Sequence, residues 1–184
     1  MASTTVARRI HNPVQGDSVT FLETSAESGG RRTLCLFEVA PGGRVKPHFH
    51  MSYSEHFFVH EGHLTVTIGE ETHEVGPGED ALVAPGLLHA WRNEGAERVM
   101  ADLELRPGHT GFEEGLRILF GLATDGRVMA DGLPRNPLHT AVLLDLGELR
   151  LPGALGVVRP LFGLLARVAR RSGVERELRR RYLG

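Results

Sequence analysis

Residues 42–62 read GGRVKPHFHMSYSEHFFVHEG, and within that stretch His48 and His50 flank Phe49. In an extended strand successive side chains alternate between faces, so positions two apart project from the same one. Two imidazoles on one face can take adjacent positions on a single cation. Glu55 follows after Met51-Ser52-Tyr53-Ser54, a length that a turn can fold back toward them. His89 arrives from another strand, just after Pro85-Gly86. Three neutral imidazoles and one carboxylate suit a divalent transition metal, and an octahedral ion so held keeps two positions open.

Outward from this stretch the pattern is that of short strands. From about Val19 to Leu105 the runs TLCLFEVA, HFFVH, HLTVTIG, ETHEV, DALVA, HAWRN and RVMADLEL are broken by glycine. Such spacing predicts an antiparallel sandwich or barrel. After Pro107 the apolar period becomes helical. Thr110 and Glu113 read as a capping box ahead of Phe112, Leu116, Leu119, Phe120 and Ala123. Asn136 and Pro137 read as N-cap and first position of a second helix ending near Leu146, with Leu138, Val142 and Leu146 on one face. Pro160 opens a third, whose Leu161, Phe162, Leu165 and Val168 share a side opposite Arg167 and Arg170. Gly173 is its expected C-cap, and VERELRRRYL a last short helix. The fold class expected is mainly β, followed by a small helical extension; the division falls at residues 1–106 and 107–184.

Composition narrows the function classes. The chain has 184 residues, 41% hydrophobic and 24% charged, which excludes a disordered or fibrous protein. Residues 1–106 carry 9 basic and 15 acidic groups, and residues 107–184 carry 12 and 8. With a net charge of -2 there is no global attraction to nucleic acid. A single cysteine, Cys35, excludes a disulfide framework and thiolate-based zinc clusters; it reads as a buried small hydrophobe. No apolar run approaches the roughly 18 residues that span a bilayer, and MASTTVARRIHNP lacks the apolar core of a secretory signal. A cytoplasmic protein is expected. There is no phosphate-binding loop, nucleophile elbow or H-E-x-x-H zinc helix.

Two spaced motifs carry a family resemblance. Gly42, His48-Phe49-His50, Glu55 and Gly62 resemble the first cupin motif spacing for spacing, and Gly78, Ala84-Pro85-Gly86, His89 and Asn93 resemble the second. Ala84 departs from the pattern, which has proline there. The match covers about the first 105 residues. It implies a jelly-roll β-barrel with a metal in its mouth, held by His48, His50, Glu55 and His89. The implied cofactor is one divalent transition metal per chain: Fe(II), Mn, Zn or Ni. Strand parity then turns Phe57 and Val59 inward with Glu55, and His56, Phe58 and His60 outward. From His89 the same parity places Trp91 and Asn93 inside; Phe57, Val59 and Trp91 are the expected pocket lining, while Asn93 is expected to stabilise its turn.

His56, His60, His63 and His73 read as surface groups. His11, His109 and His139 lie outside the motifs and are assigned structural roles. The arginines from Arg167 to Arg181, interleaved with Glu175 and Glu177, read as a solvated helix face.

Many unrelated functions share the barrel, so activity must be argued from the site. The leading expectation is a metal-dependent monocupin acting on a small organic molecule as a dioxygenase-type oxidoreductase or an isomerase, with Glu55 the residue for any proton transfer. The alternative is a non-catalytic binding module with a structural metal. The partners expected are a small-molecule substrate or ligand and a second copy in a homodimer using the face that carries Phe58. Neither nucleic acid nor membrane contact is expected, and the helical extension is expected to pack on the barrel or on a dimer partner.

Overall fold

Alternating burial along the strands builds two antiparallel sheets around one core. The computed structural model describes residues 8–153 and 159–184. β1 (Arg9–Asn12), β2 (Asp17–Glu23), β3 (Thr33–Val39), β5 (Ser54–Glu61), β8 (Asp80–Val83) and β10 (Val99–Arg106) form one sheet, ordered β1-β2-β3-β10-β5-β8. β6 (Leu64–Ile68), β7 (Glu71–Val75) and β9 (His89–Arg92) form a second, ordered β7-β6-β9. In β10 the buried residues are Val99, Ala101, Leu103 and Leu105, each two apart. Phe21, Phe37 and Phe57 of the first sheet meet Leu64, Val66 and Trp91 of the second in a shared core. Each such side chain contributes roughly 1.5–3 kcal/mol by leaving water. Cys35 is wholly buried there, and desolvation pushes its thiol above the ordinary range.

Four helices follow: α1 (Thr110–Thr124), α2 (Pro137–Leu146), α3 (Arg159–Arg171) and α4 (Val174–Tyr182). Phe120 of α1 joins the sheet core, with Phe112, Leu116 and Leu119 packed against it. The next face of α1 sends Ile118, Leu122 and Ala123 into a second core with Val142 and Leu143 of α2, Ala169 of α3 and Leu178 of α4. The α1 and α2 ends approach so closely that a Cβ at Gly111 would lie 2.0 Å from the Leu146 carbonyl oxygen.

Three local readings are corrected. The N-cap of α1 is His109, whose Nδ1 accepts from the Phe112 amide at 2.9 Å, and not Thr110. Glu113 is buried and accepts from the Ser25 amide and the Thr33 hydroxyl, both at 2.6 Å. A buried carboxylate needs strong donors, and the sheet supplies them where a local capping box would leave it half-solvated. On α3 the small side faces inward: Ala166 and Ala169 are buried, whereas Leu161, Leu164 and Val168 are 52%, 52% and 43% exposed. Asn136 and Pro137 do cap and open α2, and Gly173 adopts the left-handed conformation between α3 and α4.

The region after Arg106 is not purely helical. β11 (Leu149–Arg150) returns to pair with β4 (Phe49–His50), placing Leu149 opposite His50. No helix among the described residues is long and apolar enough to cross a membrane.

Candidate metal centre

Backbone pairing gathers the site. His48 and His89 exchange both amide hydrogen bonds, at 3.0 and 2.9 Å, which lays the start of β4 along β9. Gly86, in the turn before His89, has φ of 80°, a conformation that glycine adopts freely, and its amide donates to the His50 carbonyl at 2.7 Å. Glu55 enters from β5, opposite Val83 of β8 and Leu105 of β10.

These strands bring His50, Glu55 and His89 together, with one ligand atom of each lying within 4.8 Å of the others. Glu55 Oε2 is 3.7 Å from His50 Nε2 and 3.3 Å from His89 Nε2. All three residues are buried. His89 fixes its other nitrogen on the Leu87 carbonyl at 3.1 Å, so Nε2 is the atom turned to Glu55. Yet Nε2 of both His50 and His89 is buried without a hydrogen-bond partner. Orphaned imidazole nitrogens around a carboxylate have the donor set and the unmet need that a divalent ion would satisfy. The three residues therefore form a group able to hold a metal.

Electrostatics favours the ligating protonation state at Glu55 and His48 and opposes it at His89. Desolvation is the largest influence on Glu55 and acts upward, but the adjoining imidazoles of His50 and His89 outweigh it and hold the carboxyl below its usual range. Desolvation also acts to lower His89, and Glu55 more than offsets it, leaving a net rise. His48 is pushed down to about 4, first by desolvation and then by His89. It is neutral near pH 7, the form that binds metal.

His48 stands beside the group and not within it. Its ring centroid is 4.4 Å from that of His89, and its Nδ1 lies 3.0 Å from the Lys46 carbonyl oxygen. The structure thus assembles three of the four expected ligands, with the Nε2 of His48 left as the atom not engaged by Lys46. Phe57, Val59 and Trp91 point inward as parity requires and are packed into the core, Trp91 edge-on to Phe37 at 4.8 Å. Asn93 secures its turn, donating to the Val39 and Glu97 carbonyls and accepting from the Gly95 amide. His56 and His60 face outward beside Asp80 and Asp102, and Phe58 is exposed between them.

Tyr53 is the residue that sequence reading passed over as part of a turn. It is wholly buried and stacks on the His50 ring, with centroids 4.1 Å apart and planes at 14°. Its hydroxyl donates to the Gly147 carbonyl at 3.1 Å, and its ring also meets His109. Burial, followed by the charge of Glu55, keeps that phenol protonated well above the ordinary range. An aromatic residue inside a short turn between two ligands was the available signal.

No curated protein matches the chain. Solved structures do, each over little more than half of it. A protein of Thermus thermophilus is 27% identical, covering 52% of this chain and 87% of its own, with a TM-score of 0.47. A predicted oxalate decarboxylase from Thermotoga maritima is 17% identical over 58% and 96%, at 0.48. The polyketide cyclase RemF from Streptomyces resistomycificus is 22% identical over 58% and 80%, at 0.47. The family model described as "Cupin domain" matches residues 35–105, the span that holds all four motif ligands. Over that span, which carries both spaced motifs, the chain has a cupin domain.

Proposed function

We propose that the protein is a metal-dependent monocupin acting on a small organic molecule, as a dioxygenase-type oxidoreductase or an isomerase. The observation that carries this reading is the pair of buried, unpartnered Nε2 atoms of His50 and His89 facing the Glu55 carboxylate. His50, Glu55 and His89 would hold one divalent ion, Fe(II), Mn, Zn or Ni, with His48 as a fourth ligand through Nε2. Such an ion supplies Lewis-acid polarisation of a substrate oxygen and, if iron, dioxygen chemistry. The chain's own residues do the rest. Lys46 and Leu87 carbonyls orient His48 and His89 through Nδ1, as outer partners of metal-binding histidines do. Tyr53 covers the His50 ring and excludes water from that side. Glu55, the site's one carboxylate, is the group to accept a proton from substrate.

A second reading, a non-catalytic binding module with a structural metal, draws on the complete burial of the His50 and His89 side chains. Protein purified without a histidine tag decides between no metal and one. About one transition ion per chain is expected, lost in His50→Ala and His89→Ala; full occupancy in both would defeat the ligand assignment. Dioxygen uptake by the iron-loaded protein with a chelating 2-oxo acid or diol, abolished in Glu55→Ala, supports the oxygenase. An inert loaded protein that binds such a ligand supports the module.

A further inference from the structure

β4 separates two environments. His50 turns toward the candidate metal centre, so Phe49, its neighbour, projects to the opposite side. There it lines a cavity of about 530 Å³ walled by α2, β11 and α3. Small-molecule sites occupy roughly 300–1,000 Å³. The wall is largely apolar, with Phe49, Leu144, Leu149, Leu151 and Phe162.

Three charged side chains reach this cavity, and their partners differ. Asp145 is paired with Arg170 of α3, and Glu148 lies 3.6 Å from His109 Nε2. Arg150 is half-buried, and its side chain has no hydrogen-bond or ion-pair partner among the described residues. A guanidinium at the edge of an apolar wall is the complement of a carboxylate, which it can bind through two parallel hydrogen bonds.

We propose that this cavity binds an amphipathic small carboxylate. Its apolar body lies against Phe49, Leu149 and Phe162, and its carboxylate pairs with Arg150. The site stands apart from the metal centre and does not rest on the function proposed for it.

Calorimetric titration of the full chain with decanoate, below its micelle concentration, and with decanol tests this. Decanoate should bind one per chain, about 10-fold more tightly than decanol, which corresponds to about 1.4 kcal/mol. Arg150→Gln should erase that preference while leaving decanol affinity unchanged. Gly163 offers an independent variant. It lines the same cavity, and nothing lies within 4 Å of where its Cβ would be. Leucine there favours the helix and takes the ligand's space, so Gly163→Leu should keep the thermal midpoint and lose binding. Equal affinity for acid and alcohol, no binding of either, or undiminished binding in Gly163→Leu would overturn the proposal. So would association with phosphatidylglycerol vesicles in the absence of any binding to free decanoate, which would assign the surface to a lipid bilayer.

Discussion

The sheet region and the helical region obey the same rule of apolar burial, yet they apply it differently. In β5 every second residue from Glu55 to Val59 is buried and the residues between face out. In α3 the large apolar residues Leu161, Leu164 and Val168 face out while Ala166 and Ala169 are buried. A strand's two faces are fixed by the pleat, and the opposing sheet leaves one choice of interior. A helix can roll about its axis, so its inward face is set by how closely it must approach its neighbour. Against α2, which is itself buried from His139 to Leu143, α3 presents alanines.

That contrast breaks most sharply in the core. Phe57→Ala should cost about 3–5 kcal/mol, read as a drop in denaturant midpoint. A loss below about 1 kcal/mol would mean that the sheets are not closed upon each other as described.

A smaller effect tests an inward-facing polar residue of the sheet region. Asp17 is buried, and desolvation raises its carboxyl to about 7, with one oxygen left without a partner. The folded state therefore holds a proton that the unfolded chain has released, from about pH 4 up to pH 7. Stability from this group is present below the unfolded value and is lost as pH rises through about 7. Asp17→Asn should be the more stable form at pH 8, by on the order of 2–4 kcal/mol. Its thermal midpoint should converge with that of the wild type near pH 4; a difference that does not change with pH would refute the titration.

At the junction of the regions, Tyr53→Phe keeps the stack on His50 and removes the bond to Gly147. The expected loss is about 1 kcal/mol. Amide exchange should quicken at Leu149 and Arg150 and remain unchanged at Phe57; equal acceleration at all three would place Tyr53 in the general core. Smallest of all, Leu161→Ser and Leu164→Ser should each shift stability by less than about 0.5 kcal/mol. A larger loss would show that the outer face of α3 is covered.

Strands with strong alternation were legible in advance. TLCLFEVA, HLTVTIG and RVMADLEL became β3, β6 and β10, because parity and burial coincide there. β1 and β11 were not, since RIHN and LR have no pattern of their own and exist through pairing with β2 and β4. Glu113 looked local because Thr110 is near in sequence, while its true partners, Ser25 and Thr33, are distant. In the site, spacing brought out His50, Glu55 and His89, but the position of the His48 ring depends on its tie to the Lys46 carbonyl. Tyr53 was hidden because its role lies in a contact with Gly147, which no local pattern announces.

The pairing of β4 with β11 spans roughly a hundred residues of chain, a separation whose closure is slow and late. During synthesis, a nascent chain that has emerged as far as Arg106 already carries His50, Glu55 and His89 and every strand of both sheets. It still lacks the strand that borders His50 and the carbonyl that anchors Tyr53. The metal-capable group and its enclosure are thus born in sequence, and a chain stalled before Gly147 leaves the edge beside His50 open.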